Sequence, residues 1–436
     1  MKSVVSIAVA VILMQCATGQ AADNAAQIKR GEYLARAGDC TACHTAGGGP
    51  LFGGGVSIST PFGQIWGSNI SSDKQYGIGS WSDEQFVAAV RDGTGKNGEQ
   101  LYPAMPYDAF TKMKREDVLA IKAYLMSMPA VHQPSPQTDL PFPFNQRWGI
   151  RFWKWFNFDK GELQNDTQQT AQWNNGRYLV EALAHCGTCH TPRTLTLGMD
   201  SDKPLAGGDL GGWWAFNITP DKQAGIGDWS QQQLVTYLKT GFVAGKASAS
   251  GPMAEAIEHS LQYLPDSDLQ DIATYLQSVK PQPDKQQTRP RDSWGQPSTA
   301  LITLRGADAA LRSAQPGAVL FAGNCASCHG AEGAGSGHGF HAYPSLFHHT
   351  STGAADARNV VSVVLNGVHR RMSEGEIVMP AFAPELSDQQ VADISNFVSQ
   401  QFGNPAAGKI TAKQVGELRQ DAGLASPPRY SEGDKP

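Results

Sequence analysis

The sequence predicts an all-α protein in which three helical modules follow one another and are joined by long loops. A Cys-x-x-Cys-His motif occurs three times, at residues 40–44, 186–190 and 325–329. A helix-like segment precedes each motif, and an amphipathic helix follows it after a polar, glycine-rich stretch. Self-similarity on this scale indicates that one supersecondary unit is used three times.

The first 21 residues have the composition of an export signal. After a positively charged start, residues 4–14 form an apolar run too short to span a bilayer, and the small Gly19 and Ala21 suit a signal peptidase. Lipidation of Cys16 is an alternative, although the glutamine before it is unfavourable. We therefore expect residues 1–21 to be a signal peptide and the mature chain to lie in the periplasm.

The net charge and the hydropathy of the sequence argue against a nucleic-acid partner and against a membrane-spanning helix in the mature chain. The formal net charge is −5 at pH 7, which gives no reason to expect a nucleic-acid partner. After the signal no run of 18 apolar residues occurs, so we expect no membrane-spanning helix.

A glycine marks the same place in the helix before each motif, here called the leading helix of that module. The three copies are Gly31-x-Tyr33-Leu34, Gly176-x-Tyr178-Leu179 and Gly317-x-Val319-Leu320. Because glycine has no Cβ, it lets two helix backbones approach closely. We predict that a second helix of the same module crosses the leading helix at this glycine.

The second helix, here called the closing helix, has one apolar face in every module. Its apolar residues recur at offsets 0, +3, +6 and +7, the spacing of one face of an α-helix. They are Val118, Ile121, Tyr124 and Leu125 in module one, Leu269, Ile272, Tyr275 and Leu276 in module two, and Val391, Ile394, Phe397 and Val398 in module three.

Loops and linkers complete the organisation of the chain. Modules one and two share a loop in which Asn-Ile is followed by Gly-Ile-Gly-x-Trp-Ser, at 69–82 and 217–230; module three lacks it. Proline-rich or polar stretches separate the modules. The predicted domains are a signal at 1–21, module one at 22–131, a linker at 132–165, module two at 166–280, a linker at 281–304, module three at 305–403 and a polar tail at 404–436. The tail is expected to lie on the surface or to be mobile.

The Cys-x-x-Cys-His motif is typical of covalent haem c attachment. Two cysteines form thioether bonds to the haem, and the adjacent histidine becomes an axial ligand of the iron. The candidate haem-binding residues are the cysteines Cys40, Cys43, Cys186, Cys189, Cys325 and Cys328 and the iron-ligating histidines His44, His190 and His329.

Two other uses of a Cys-x-x-Cys pair fit less well. A structural zinc ion requires two further cysteine or histidine ligands per site, and no second cysteine pair is left to supply them. A thioredoxin-like redox pair has no need of a histidine after each of three motifs. The sequence therefore predicts three haem c groups.

Methionine is the sixth ligand that the sequence favours, because it suits a cytochrome that holds electrons at a raised potential. Each module offers a candidate methionine beside a proline: Met105, Met253 and Met379. The proline suggests a rigid, extended segment that presents the thioether. The competing interpretation is that these methionines fill gaps in the core, with Met113, Met372 and His259 as alternative ligands.

An aromatic segment and a group of histidines lie outside the haem motifs and have two possible roles each. From Trp148 to Phe158, aromatic residues are interleaved with the cations Arg147, Arg151 and Lys154. This composition suits either a helix in the lipid headgroup layer or an inter-module helix that buries its aromatic side chains against the haem domains or a partner subunit. In module three, histidines cluster in a loop and could bind a metal, or else lie on a solvated surface. They are His338, His341, His348 and His349.

The chain resembles the three-haem cytochrome c subunit of bacterial membrane-associated dehydrogenases, over nearly its whole mature length. The stretches that carry the resemblance are 30–40, 101–107 and 185–193. The family accompanies gluconate 2-dehydrogenase, fructose and sorbitol dehydrogenases and quinoprotein alcohol dehydrogenase. The resemblance implies the axial pairs His44/Met105, His190/Met253 and His329/Met379, with electrons passing from a catalytic subunit through three cytochrome c-like domains to ubiquinone.

The resemblance implies where the complex lies in the cell, but it does not single out one substrate. It suggests a flavin, quinone or molybdenum catalytic subunit at the periplasmic face of the inner membrane, with a narrow preference for the gluconate 2-dehydrogenase type and with aldehyde or nicotinate dehydrogenases of the molybdenum type as the alternative. A free soluble multihaem shuttle is the third interpretation. A self-contained haem enzyme such as a peroxidase requires an open iron position, whereas every module offers a sixth ligand. We therefore expect no catalytic site in this chain.

Overall fold

The structure, a computed structural model, describes residues 23–299, 304, 309–337 and 339–424. The predicted signal at 1–21 lies outside these residues. The chain forms two compact units. Unit one comprises the chain up to residue 167 together with 178–185, and unit two comprises 168–177 and the chain from 186 onward.

Unit one is helical apart from one hairpin. It contains a leading helix over 23–37, the motif helix Cys40–His44, the antiparallel strands Ser57–Thr60 and Gly63–Trp66, helices Asp83–Asp92 and Tyr107–Phe110, the closing helix Arg115–Ser127, a 3-10 turn Arg147–Gly149, helix Ile150–Asn157 and the π-helical turn Leu179–Leu183.

Unit two repeats this order of elements and then varies it. Its first part contains helices Ala171–Tyr178, Gly187–His190, Gln231–Thr240, Gly251–His259 and Asp266–Ser278, the strand pairs Gly208–Asp209 with Trp214–Ala215 and Phe242–Val243 with Ala247–Ser248, and the 3-10 turns Leu261–Tyr263 and Arg291–Ser293. Its second part contains helices Ala309–Ala314, Pro316–Asn324, Ala326–His329, Arg358–Asn366, Asp388–Phe402 and Ala412–Asp421, the hairpin Val368–Met372 with Gly375–Met379, and the 3-10 turn Gly339–His341.

The helical class predicted from the sequence is confirmed. Within the residues described above, strands occur only as two-stranded antiparallel pairs. No helix in that part of the chain is long and apolar enough to cross a membrane. The division into three cytochrome domains and the boundaries given for them stay predictions.

The predicted helix crossings are present at all three glycines. A Cβ on Gly31 would lie 1.9 Å from the carbonyl oxygen of Ala120, and one on Gly176 would lie 2.0 Å from that of Asp271. In module three the same construction on Gly317 places a Cβ 2.3 Å from the carbonyl oxygen of Asp393. Since real Cβ atoms are not found below 3.0 Å, only glycine permits the backbones of leading and closing helices to touch.

The closing helices bury the face that their periodicity predicts. Val118, Leu269 and Val391 occupy the first position of the repeated pattern and are fully buried, and the leucines or valines at offset +7 are also buried. Burying an aliphatic side chain of this size contributes about 1.5–3 kcal/mol each. The crossing with the leading helix therefore forms the core of each module.

Capping explains where the middle helices of modules one and two begin. In the shared loop, Ser82 accepts a hydrogen bond from the backbone N–H of Gln85, and the Gln85 side chain accepts one from the N–H of Ser82. Ser230 and Gln233 form the same reciprocal pair in module two. Such a capping box satisfies two backbone donors that a helix start leaves without partners.

Residues 178–185 belong to unit one because their side chains bind module one. The hydroxyl of Tyr178 donates to the fully buried carboxylate of Asp117 at 2.7 Å, which also accepts from Nε of Arg30 at 2.7 Å. Lys112 and Glu181 form an ion pair at 3.0 Å. The leading helix of module two therefore contributes its second half to unit one.

The predicted polar tail is corrected by the structure. Residues from 404 onward are polar, yet helix Ala412–Asp421 packs on module three with Val415 and Arg419 fully buried. Arg419 donates to the carbonyl oxygens of Ala383 and Leu386 at 2.7 and 2.8 Å and to the carboxylate of Asp388 at 2.8 Å. Residues 404–424 therefore pack on module three through one buried face, and residues 425–436 of the predicted tail lie outside the described residues.

Candidate functional site

The three motifs place two thiols and one imidazole on one helical turn. Helix Cys40–His44 contains the whole first motif, and the backbone N–H groups of His190 and His329 donate to the carbonyl oxygens of Cys186 and Cys325 at 2.9 and 3.0 Å. Residues three and four apart on a helix face the same way. None of the six cysteines of the motifs forms a disulfide bond.

Each motif histidine is oriented by a hydrogen bond to a backbone carbonyl oxygen. Nδ1 of His44 lies 2.7 Å from the oxygen of Ser68, and Nδ1 of His190 lies 2.6 Å from that of Phe216. In module three, Nδ1 of His329 lies 3.0 Å from the oxygen of Pro344. Because a carbonyl can only accept, Nδ1 carries the proton and the lone pair of Nε2 is left for a metal.

A glycine holds the backbone of each histidine in place. The carbonyl oxygen of His44 accepts from the N–H of Gly54 at 2.8 Å. Gly207 and Gly335 bind the carbonyl oxygens of His190 and His329 in the same way, at 2.7 and 2.8 Å. The three glycines have φ of +77°, +101° and +72°, a region that side-chain-bearing residues rarely adopt. The same loop path therefore supports all three motifs.

Burial sets the protonation states that ligation requires. It lowers the pKa of His44, of His190 and of His329 below the ordinary histidine value, so the neutral, ligating imidazole is favoured. Burial also raises the pKa of the Cys40 thiol and of the Cys186 thiol to about 12. A reactive redox pair needs a lowered thiol pKa, so these values argue against the thioredoxin-like alternative.

The three candidate methionines lie in different local structures. Met105 lies in a turn just before helix Tyr107–Phe110, and Met379 is the last residue of strand Gly375–Met379. Met253 lies in the first turn of helix Gly251–His259, after Pro252. The expectation of an extended segment holds for Met379 but is wrong for Met253, because proline at the start of a helix initiates it.

The competing ligands are placed as follows. Met113 is buried to 1% exposure in the core of module one, where a gap-filling role accounts for it. Met372 ends strand Val368–Met372, and His259 ends helix Gly251–His259. The ligand roles of Met105, Met253 and Met379 stay predictions.

Within the described residues, the histidine cluster of module three does not form a metal site. His338 lies outside the described residues. Elsewhere in the described chain, no group of three or more histidine, cysteine, aspartate or glutamate side chains could hold a metal ion. Nδ1 of His349 accepts from the backbone N–H of Ser351 at 3.3 Å, a local contact typical of a loop.

The aromatic segment, residues 148–158, is divided into an inner and an outer side. On the inner side, Nζ of Lys154 donates to the carbonyl oxygens of Asp92 and Gly93 at 2.6 and 3.0 Å and lies 4.8 Å from the centre of the Tyr107 ring. The outer side exposes large aromatic side chains, with Trp155 78% exposed. They are Trp148, Phe152, Trp155 and Phe156. Within this chain the four side chains are not buried, and burial against a partner subunit stays a prediction.

Sequence reasoning missed the main-chain partners of the histidines. The oxygens of Ser68 and Phe216 directly precede the repeated Asn69-Ile70 and Asn217-Ile218, so the shared loop was the signal that could have located two of them. The third acceptor, Pro344, lies in a module without that loop and had no such signal.

The residues present fit a covalently bound haem at each motif. Two cysteine side chains and a neutral imidazole with an available Nε2 share one helical turn. A hydrogen bond from Nδ1 to a backbone carbonyl oxygen fixes the orientation of the imidazole ring. This is the donor set that haem c requires.

The chain is similar in sequence to known proteins. The cytochrome c family matches residues 28–129 and 314–402. The chain is 45% identical over 418 residues to the fructose dehydrogenase cytochrome subunit of Gluconobacter japonicus, covering 92% of this chain and 85% of that protein. It is 38% identical over 411 residues to the gluconate 2-dehydrogenase cytochrome c subunit of Pantoea cypripedii, covering 91% and 90%.

A third relative is much longer. The chain is 36% identical over 410 residues to one of the nicotinate dehydrogenase subunits of Pseudomonas putida, covering 92% of this chain but 32% of that protein. Together with the haem c that the cytochrome c family binds covalently, these similarities confirm the resemblance carried by the motifs. The chain belongs to the family of cytochrome c subunits of bacterial dehydrogenases.

Proposed function

We propose that this chain carries three haem c groups and is the electron-transfer subunit of a dehydrogenase complex at the periplasmic face of the inner membrane. The observation that carries the proposal is the threefold placement of a motif histidine, with Nδ1 bound to a carbonyl oxygen and its own carbonyl bound to a glycine. A binding geometry kept at three places indicates three equivalent sites.

Each module is proposed to be one cytochrome c-like domain, at 22–131, 166–280 and 305–403. The cysteine pairs Cys40/Cys43, Cys186/Cys189 and Cys325/Cys328 would anchor the haems, with axial pairs His44/Met105, His190/Met253 and His329/Met379. Bound haem supplies one-electron redox chemistry at the iron. The protein's part is to hold the imidazole in its ligating tautomer and to keep water away from it, which the carbonyl bonds and the burial of the histidines support.

The partner is proposed to be a catalytic subunit of flavin, quinone or molybdenum type that oxidises a sugar, sugar acid or alcohol. The similarity to cytochrome subunits of dehydrogenases supports a separate catalytic subunit. The names of the relatives from Gluconobacter japonicus and Pantoea cypripedii favour a sugar or sugar acid. Ubiquinone is the proposed electron acceptor.

The test of this function is haem stoichiometry combined with co-purification. Pyridine haemochrome analysis of the chain matured in a periplasm should give three haems, and replacing both cysteines of one motif by alanine should remove one of them. The chain purified from its native membranes should bring a dehydrogenase subunit with it. Two haems, or a native chain that purifies alone without detergent, would contradict the proposal.

The exposed aromatic side chains of the aromatic segment are proposed to rest in the lipid headgroup layer. Trp155 and Phe156 face outward beside the exposed cation Arg151, and aromatic rings with nearby cations suit that layer. Flotation with vesicles of phosphatidylethanolamine and phosphatidylglycerol should recover the wild-type chain and lose Trp155→Ser/Phe156→Ser. Leu195→Ser, which removes an exposed leucine in unit two, is the matched control and should still float. Equal flotation of all three chains would exclude this contact.

A molybdenum-type partner is a second candidate, supported by the similarity to the nicotinate dehydrogenase relative over 92% of this chain. Metal analysis of the purified complex distinguishes the two. Molybdenum in a fixed ratio to haem iron would favour the second candidate, and a bound flavin or quinone without molybdenum would favour the first.

A further inference from the structure

A buried arginine lies beside the second motif. Arg291, in the 3-10 turn Arg291–Ser293, is only 9% exposed. One of its Nη atoms donates to the carbonyl oxygen of Ala224, and the other lies 3.4 Å from that of Asn217. Its Nε is buried and has no hydrogen-bond partner among the described residues. A guanidinium bound to carbonyl oxygens keeps its charge largely uncompensated in a medium of low dielectric constant.

The position of this cation connects it with the ligand histidine. The guanidinium carbon of Arg291 lies 4.6 Å from the centre of the Phe216 ring, and the carbonyl oxygen of Phe216 binds Nδ1 of His190 at 2.6 Å. One residue therefore separates the cation from the imidazole.

Arg291 has carboxylates near it, and most of them have other partners. Burial lowers the pKa of Arg291 to about 10, so it is protonated at neutral pH. Asp228 and Asp292 both bind Lys246, Asp221 accepts from the backbone N–H groups of Gln223 and Ala224, and Asp284 is exposed to solvent. Since Lys246 offsets only one of the two carboxylates that it binds, the buried Asp292 is a negative charge that opposes Arg291.

The surroundings of the first and third histidines differ in charge from those of the second. Against the shared loop of module one lies His132, whose side chain is 67% exposed and bound to Asp73 at 2.9 Å. Within the described residues, the three sites therefore share their hydrogen bonds, and only the acceptor of the second histidine lies beside a buried cation.

We propose that Arg291 is a positioning residue that raises the reduction potential of the second haem above that of the first. This role rests on the proposed function, because it takes His190 as an iron ligand. A site that accepts one electron loses one unit of positive charge, so a fixed cation nearby favours the reduced state. Two unit charges about 10 Å apart at an effective dielectric constant of about 20 change a one-electron reduction equilibrium by roughly tenfold, or about 59 mV. We take this as the expected size of the effect of Arg291.

The experiment is a potentiometric titration of the haem-loaded full chain, followed by visible absorption. In Arg291→Gln the component of the second haem should become about tenfold harder to reduce, while in Arg291→Lys it should stay close to wild type. Lys285→Gln, which removes an exposed lysine, is the control and should move no component. The second component is identified in Met253→His, which should lower that component alone and abolish its methionine–iron absorption band.

A further variant keeps the proposal testable if Arg291→Gln does not fold. Asp292→Asn removes a negative charge beside Arg291 with almost no change of shape, and should make the same component easier to reduce. Equal shifts in Arg291→Gln and Arg291→Lys, or no shift in Asp292→Asn, would overturn the role of Arg291 with three haems still bound. A second motif that binds no haem would overturn the proposed function, and the role of Arg291 with it.

Discussion

The helix crossing of module three offers a sharp test, because the leading helix Pro316–Asn324 contains two glycines in opposite surroundings. A Cβ on Gly317 would lie 2.3 Å from the carbonyl oxygen of Asp393 and 2.8 Å from Cβ of Phe397. A Cβ on Gly323 would have no described atom within 4 Å. The same substitution in the same helix should therefore have opposite effects.

The magnitudes follow from two competing terms. Glycine to alanine in a helix gains up to about 1 kcal/mol from backbone entropy. At Gly317 the closing helix must also move by about 1 Å to reach ordinary contact, and overpacking of this kind costs about 1–3 kcal/mol. We expect Gly317→Ala to destabilise module three by about 1–2 kcal/mol and Gly323→Ala to be neutral or stabilising.

Hydrogen exchange followed by mass spectrometry measures the effect where it arises. Amides of the closing helix Asp388–Phe402 should exchange about five- to thirtyfold faster in Gly317→Ala, because 1.4 kcal/mol is tenfold in an opening equilibrium. In Gly323→Ala they should exchange no faster than in wild type. Equal protection in the two variants would show that the helices do not touch at Gly317, and the reasoning on all three crossings would fail.

Three further predictions concern other contacts. Arg419→Ala should lower the free energy of unfolding of module three by about 2–4 kcal/mol, because Asp388 and two carbonyl oxygens lose their donor, and urea denaturation followed by circular dichroism measures it; an unchanged midpoint would refute it. Gly207→Ala places a side chain at φ +101° and should reduce haem incorporation at the second motif only, measured by haem count per chain, whereas full loading would contradict it. Burial lowers the pKa of Lys154 to about 8 from an ordinary 10.5, so between these values the unfolded chain holds more protons and stability should rise with pH. The rise should be smaller in Lys154→Gln when urea midpoints are compared at pH 7.5 and 10, and identical slopes would exclude this assignment.

The sequence predicted how the helices of each module cross better than it predicted where module three ends. The crossing at Gly31 was predictable because a repeated glycine and a repeated apolar face report on the same contact. Helix Ala412–Asp421 was missed because its composition is polar, and its few apolar residues did not outweigh that. A signal was present: Thr411 and Gln414 form a capping box that marks the start of the helix.

The local structure around the candidate ligands was harder to predict. Proline beside Met253 predicts an extended chain, but proline is equally favourable in the first turn of a helix. Only the surrounding tertiary structure decides between these two uses. The division of the leading helix of module two between the units was also beyond the sequence, because it depends on long-range contacts such as that of Tyr178 with Asp117.

Because the three motif histidines bind backbone carbonyl oxygens, the residues that carry these oxygens can be substituted during evolution. They belong to a serine, a phenylalanine and a proline, residues with nothing in common except a main-chain carbonyl. Any substitution that preserves the course of the loop leaves the acceptor in place, so these positions can vary while ligand orientation is inherited unchanged. The side chains there can take on separate tasks, and at Phe216 the ring already supports a buried arginine.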